Sequence, residues 1–320
     1  MTSEFKVLAT GLLFPEGPVA LPDGSVLVVE IGAGCLTKVL PDGSKQRVAD
    51  LKGGPNGAAI GPDGACYVCN NGGLEFVTDA AGETGPIGRA PDYSGGRLER
   101  VDLKSGSFGR VHEGTSHGLL SGPNDLVFDR VGGCWFTDIG HITPKTIDRG
   151  AVFYAPPNGA PLRRAIFPLV TPNGIGLSPD ESTLYVAETL TARLWAFPLS
   201  APGEPVFQDM PPHLSLGKLV YAAPHFCMFD SLAVESGGNI CIATLGVAGQ
   251  KGPGGAGITV VSPQGDLVET VYLPDKMTTN ICFGGPDLRT AYVTQSRGGR
   301  LLAMDWPRPG LQLNFSAGGA

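Results

Sequence analysis

Charge is scarce in this sequence: Asp, Glu, Lys and Arg make up 17% of its 320 residues, and 23 basic residues face 30 acidic ones for a net charge of −7. Lys and Arg nowhere cluster. Nucleic-acid binding draws most of its affinity from such clusters, so no nucleic-acid partner is expected. Long apolar runs are also missing. None approaches the roughly 18 residues of a membrane span, and no membrane partner is expected either. The N-terminal stretch "MTSEFKVLATGLLFPEGP" carries Glu4 and Lys6 and only a short apolar segment before Pro15, so it lacks the basic and hydrophobic regions of a signal peptide.

Seven cysteines are an odd number, and Cys66, Cys134, Cys241 and Cys282 lie in apolar runs where a small hydrophobe would serve. A reduced, cytoplasmic setting follows. Cys66 and Cys69 form a CxxC in "ACYVCN", but in a strand residues three apart face opposite sides. With no second CxxC and no suitable His pair, packing is expected there in place of zinc or redox chemistry. Helical periodicity is hard to find.

What the chain does have is 42% hydrophobic residues, enough for a large core, with 48 glycines and 28 prolines dispersed through it. It also has a repeat. "FPEGPVALPDGSVLVVE" (14–30) returns as "PNGAAIGPDGACYVCN" (55–70), "PNDLVFDRVGGCWFTD" (123–138), "PNGIGLSPDESTLYVAE" (172–188), "FDSLAVESGGNICIAT" (229–244) and "TNICFGGPDLRTAYVTQ" (279–295). Each copy has a polar leader, a short apolar run, a turn and a second apolar run. The leaders are Glu16, Asn56, Asn124, Asn173, Asp230 and Asn280, spaced 40 to 68 residues apart.

Short runs rich in Val, Ile, Leu, Tyr and Phe, separated by Pro-Asp-Gly or Gly-Gly turns, predict antiparallel strands. Six units of this size predict an all-β, six-bladed β-propeller, with residues 1–320 as a single domain. Radial repetition would bring the six oxygen-bearing leaders together at the mouth of a central channel. Asn and Asp also open turns for purely local reasons, but Glu16 is a poor turn former. Two carboxylates at a channel mouth repel one another, and burial disfavours both charges. A cation removes the conflict. Carboxylates and amide carbonyls without sulfur or imidazole suit one hard divalent ion, calcium first, with magnesium or manganese as alternatives.

The segments "FPEGP", "GPNDLVFD", "TPNGIGLSPDESTLYVAE", "FDSLAV" and "TNICFGGPDLRTAYVT", in this order and over nearly the whole chain, resemble the SMP-30/gluconolactonase/LRE family of propeller hydrolases. The resemblance implies a divalent metal, usually calcium and in some members zinc, manganese or magnesium, used to hydrolyse lactones or phosphotriester-like esters. Carried over residue by residue, it places the metal on Glu16, Asn124, Asn173 and Asp230. Family sugar lactonases often carry Arg two residues before the Asn that matches Asn124, where this chain has Gly122, which weakens the case for a sugar-acid lactone and admits a less polar lactone or ester.

A bound cation would polarise a carbonyl, and Asp230 is expected to serve catalysis as general base, with direct attack as the alternative. Asn56 and Asn280, as repeat equivalents, and His117 and His225, in loops ahead of Asn124 and Asp230, are candidates for contacting a small-molecule substrate. The glycine-rich "GQKGPGGAGI" (249–258) lacks the spacing of a phosphate loop and is expected to be an inter-strand loop. Specificity is expected in the loops at 76–97, 105–121, 139–150 and 205–228. Phosphotriester hydrolysis, a metal-dependent lyase or isomerase, and a non-catalytic binding propeller are the alternatives, and oligomeric state stays open.

Overall fold

A computed structural model describes residues 4–316 apart from 144, 208–216, 248–249 and 253. The apolar runs of the repeat are strands, and no helix occurs among the described residues. They form six antiparallel sheets that follow one another along the chain: blade 1 within 15–50, blade 2 within 55–112, blade 3 within 123–170, blade 4 within 172–222, blade 5 within 228–272 and blade 6 within 278–305. Blade 6 takes its outer strand from the other end of the chain. Phe5–Ala9 pairs with Arg300–Asp305, Phe5 opposite Met304 and Ala9 opposite Leu301. The innermost strand of each blade packs against those of both neighbours, so the six close a ring: a six-bladed β-propeller.

The runs are apolar at nearly every position because both faces of each sheet are covered. In Val26–Glu30, Val26 and Val28 pack towards blade 6 with Tyr292 and Leu301, while Leu27 and Val29 pack towards blade 2 with Ala58, Cys66 and Val68. The same alternation separates Cys66 from Cys69, which faces Leu126 and Phe136 of blade 3. Six apolar clusters therefore occupy the six interfaces between blades. At the turns Asp23 accepts a hydrogen bond from the Ser25 N–H at 3.0 Å while Gly24 takes a φ of 80°. The Pro-Asp-Gly turns of blades 1 and 2, and the other turns that replace them in later blades, mark the blade ends remote from the leaders.

Each innermost strand shifts register at or beside its leader, between Pro55 and Ala58, Pro123 and Leu126, and Pro172 and Ile175 for example. Such a bulge frees the leader and its successor from regular pairing and re-aims them. The successor is Gly17, Gly57 or Gly174 in three blades because the next blade passes too close for a side chain. A Cβ on Gly57 would lie 2.5 Å from the Asn124 carbonyl oxygen and 2.7 Å from the Asp125 Cα.

Besides a short ladder that pairs Gly114–Thr115 with Gly118–Leu119, two additions decorate the ring. A hairpin, Leu74–Thr78 with Thr84–Arg89, is inserted into blade 2 and reaches back over the start of the repeat, where Phe76 packs on Phe14 with ring centroids 5.1 Å apart. Arg297 holds it from blade 6 through Asp79 (2.6 Å) and Glu83 (2.8 Å). At the other end of the channel lies the chain's last stretch: Leu311 N–H donates to Val234 O at 2.8 Å, the Asn314 amide donates to Phe128 O at 3.0 Å, and Phe315 packs on Phe128. Of the glycine-rich 249–258, Gly249 and Pro253 lie outside the described residues, and Gly257 and Ile258 already belong to a strand of blade 5. The expected loop at 205–228 lies partly outside them and otherwise contains the strand Lys218–Ala222.

Gly57→Ala is expected to lower stability by about 1–3 kcal/mol, the usual cost of forcing extra atoms into packed backbone. Gly237→Ala, whose Cβ would meet nothing within 4 Å, should be close to neutral. Urea denaturation of both variants checks the pair; equal midpoints would show that the close approach at the axis carries no strain.

Candidate active site at the channel mouth

All six leaders sit at the same end of their strands, where the loops joining one blade to the next gather. Glu16, Asn56, Asn124, Asn173 and Asn280 are buried, and Asp230 alone among them is only half-buried. The structure ties several together across blades. Asn280 Nδ2 donates to Glu16 Oε2 at 2.7 Å, and the Gly17 N–H donates to the same oxygen at 2.5 Å. Asn173 Nδ2 donates to Thr189 Oγ1 at 3.1 Å, and its Oδ1 accepts from Ser231 Oγ at 3.4 Å. Asn124 Oδ1 is buried with no hydrogen-bond partner.

A third carboxylate joins them. Asp125 is buried beside its leader, and nothing in the sequence reading pointed to it. The available signal was small: "PND" where three other copies read "PEG" or "PNG". Burial raises its pKa to about 7, against hydrogen bonds from the Leu126 N–H, the Ser231 hydroxyl and the Ile175 N–H that favour the anion. Asp230 is also raised to about 7, first by burial and then by Asp125, while the Asn173 amide and the Ser231 N–H oppose the shift. Glu16 is raised well above the usual carboxylate range by burial, then by the Asp230 and Asp125 charges, with the Gly17 N–H and the Asn280 amide acting the other way. No Lys, Arg or His is among the groups that shift the three.

The donor set fits a hard divalent cation. Glu16 and Asp230 supply anionic oxygen, and Asn124 offers a carbonyl oxygen that is otherwise unpaired at the cost a buried polar atom carries. Among the described residues no group of three or more His, Cys, Asp or Glu forms a metal cage, so any site here depends on amide oxygens.

His117 and His225 do not join the cluster: both are exposed. His117 borders a separate hollow with Asp138, Arg149 and Arg164. A different histidine, in the loop after Asp138, packs on an aromatic ring. His141 meets Tyr93 edge to face at 5.1 Å, the Arg89 guanidinium lies over the Tyr93 ring at 4.5 Å, and the Tyr93 hydroxyl donates to Ser121 O at 2.7 Å. Gly122, two residues before Asn124, donates its N–H to Asp138 Oδ1 at 2.8 Å, and a Cβ there would lie 2.9 Å from the Gly140 carbonyl oxygen. No longer side chain fits at 122 without displacing blade 3.

Away from the leaders the channel continues as a cavity of about 140 Å³ bordered by Asp125, Ile60, Phe128, Leu177 and Phe283. Residues 311–316 line its far end.

A family model described as the SMP-30/Gluconolactonase/LRE-like region matches residues 14–297. Gluconolactonase from Zymomonas mobilis is 25% identical over 308 residues, covering 89% of this chain and 77% of that one. Among solved structures, a gluconolactonase from Xanthomonas campestris superposes with a TM-score of 0.73 at 21% identity, covering 95% of this chain and 90% of its own. A calcium-binding protein, regucalcin from Agrobacterium tumefaciens, gives 0.72 at 19% identity over 97% and 98% of the two chains.

The three raised carboxylates fix a pH response in chelator-treated protein. Their native pKa values exceed the unfolded ones, so between about pH 4 and pH 7 the folded chain binds more protons than the unfolded chain, and their contribution to stability is lost as pH rises through that window. The melting temperature should therefore drop more steeply over this range in chelated wild type than in chelated Asp125→Asn, and a saturating divalent cation should reduce the difference. Parallel curves for the two chelated proteins would contradict the assignment.

Proposed function

Because the chain belongs to the SMP-30/gluconolactonase/LRE-like family, we propose that it is a metal-dependent lactonase that opens the ring of a small-molecule lactone at the leader end of the channel. One observation carries this reading. Glu16, Asn173, Asp230 and the unpaired Asn124 Oδ1 lie at one mouth, with no basic side chain among the groups that shift the buried acids. Glu16, Asn124, Asn173 and Asp230 hold the ion, which we take to be calcium, with zinc, manganese or magnesium as substitutes. When bound, such an ion supplies a Lewis acid for the carbonyl and a counter-charge for the oxygen on which charge develops.

The remaining work falls to the chain. Asp230 is the half-buried leader, open to a substrate and a water molecule as the buried amides are not. It accepts a proton from the water whose oxygen bonds to the acyl carbon. The ring C–O bond then breaks, the proton passes to the departing alkoxide oxygen, and the product is the open hydroxy acid. Amide side chains cannot accept that proton near neutral pH. Asn280 keeps one Glu16 oxygen oriented through their 2.7 Å hydrogen bond, and Asn56, buried in blade 2, is taken to contact the substrate. His117 and His225, exposed as they are, are placed to meet a substrate on its way in and not to act on the acyl carbon.

We take 1–320 to be one domain. Seven free cysteines support a reducing, cytoplasmic compartment, and no helix among the described residues is long and apolar enough to cross a membrane. The lack of a long side chain at position 122 favours a substrate less polar than a sugar-acid lactone.

Two sets of variants test the roles. Glu16→Gln should weaken metal binding more than Asn56→Asp or Asn280→Ala, because it removes one of two anionic ligands; a metal titration that superposes on wild type would remove Glu16 from the site. Asp230→Asn should keep the fold and lose turnover by roughly two to four orders of magnitude at saturating metal, the usual scale for a general base. His117→Ala and His225→Ala should lose little. A large loss in either histidine variant with a mild one in Asp230→Asn would move the base to the loops.

A further inference from the structure

An asparagine that holds a metal ion must face it with Oδ1 and not with Nδ2, because the carbonyl oxygen offers lone pairs while the amide N–H groups repel a cation. The two ends of the side chain have nearly the same shape, so packing alone does not choose between them. Something must hold the nitrogen. Asn124 and Asn173, the two amides placed on the ion, differ in this respect.

Asn173 is buried where its strand shifts register, and its Nδ2 donates to Thr189 Oγ1 at 3.1 Å. The same amide favours the charged form of Asp230. With the nitrogen so engaged, Oδ1 is left with the Ser231 hydroxyl at 3.4 Å, a long contact that leaves a lone pair for an ion. Thr189 is itself fixed. It follows the strand Thr183–Glu188, and its N–H donates to Thr171 O at 3.0 Å. The next N–H, of Leu190, donates to Thr171 Oγ1 at 3.0 Å. On the other side Glu188 accepts from the Val170 N–H at 2.7 Å and from the Thr191 hydroxyl at 2.6 Å. The β-branched side chain adds its own stiffness at χ1.

This hydroxyl is particular to blade 4. The second strands of the blades bring Glu30, Asn70, Asp138, Glu188, Thr244 and Gln295 opposite the residue just ahead of the leader or its neighbour. One position further on, where blade 4 has Thr189, the other blades have Ile31, Asn71, Ile139, Leu245 and Ser296. Ser296 donates its hydroxyl to Pro15 O at 2.5 Å, and Asn71 Oδ1 accepts from the Gly73 N–H at 3.0 Å. Only Thr189 bonds the side chain of its own leader. Asn124, with Ile139 in that place, keeps an unpaired Oδ1.

We propose that Thr189 is a positioning residue that turns the Asn173 carbonyl towards the metal ion. The inference rests on the metal site of the lactonase reading above and deepens it. Without Oγ1 the buried Nδ2 loses its acceptor, and the amide becomes free to turn its N–H groups to the ion. The sequence gives no hint of this, since Thr189 lies 16 residues beyond Asn173 in a turn rich in hydroxyls.

The test is calorimetric titration of the chelator-treated full-length protein with Ca2+ alone, for wild type, Thr189→Val, Thr189→Ala and Thr189→Ser, with the melting temperature of each chelated sample recorded. Thr189→Val keeps the shape and removes the acceptor, so Kd should rise about tenfold or more, the usual scale for losing a partner that orients a metal ligand. Thr189→Ala should follow it, and Thr189→Ser should stay close to wild type because the oxygen is restored. The loss should appear even where the chelated variant melts with wild type, which a purely structural role for Thr189 would not produce. A Thr189→Val titration that superposes on wild type overturns the proposal and leaves the metal site standing. An equal loss in Thr189→Ser gives the effect to packing and overturns it as well. Wild-type protein that binds no Ca2+, Zn2+, Mn2+ or Mg2+ removes the metal reading and this proposal with it.

Discussion

Everything in this molecule depends on each sheet having to bury both of its faces. Val26 and Val28 on one side and Leu27 and Val29 on the other cannot all be covered by a single partner, so every blade needs two neighbours. Among six blades that demand is met only by closure, and the strand Phe5–Ala9 completes it by pairing with the last blade. A closed ring leaves equivalent positions around one axis. The leaders converge because the apolar residues behind them leave no other arrangement.

Convergence creates an electrostatic problem at the axis. Withdrawing a carboxylate from water costs several kcal/mol, whereas the repulsion between two charges about 4 Å apart is on the order of 4 kcal/mol in a protein-like medium. Burial is accordingly the leading cause of the raised pKa values of Glu16, Asp125 and Asp230, and mutual repulsion adds to it. Amides at the other leader positions keep the sum from growing further. They give oxygen without charge, and their N–H groups partly stabilise the carboxylates next to them, as Asn280 does for Glu16. Buried carboxylates whose charge burial disfavours, beside an unpaired amide carbonyl, form a donor set that suits a cation.

The disc is also asymmetric along its axis. Self-bonded Asp residues finish the strands at one end with short polar turns, and the segment 311–316 lies across the channel there. At the other end the connections are longer, more varied and partly apolar, and they alone adjoin the leaders. On the proposed lactonase reading, chemistry and selectivity would share that face, the first supplied by the ring and the second by the loops.

The sequence by itself determined the repeat, the strands and their ring, because both-sided burial writes itself as runs without polar interruptions and the turns write themselves as Pro-Asp-Gly. It also determined the leaders, whose oxygen-bearing side chains recur at one place in each unit. Tertiary structure alone decided what those leaders touch. The register shift at each leader has no local signature, so the sequence could not say that Asp125 would turn in beside Asn124 or that Asn124 would be left unpaired. Nor could it sort the histidines. His117 and His225 precede leaders in the chain but stay exposed, while His141 reaches Tyr93 from another loop. Strand identity depends on neighbours two residues away along the chain, which a sequence displays; the surroundings of a side chain at the axis depend on blades a hundred or more residues apart, which only closure of the ring brings together.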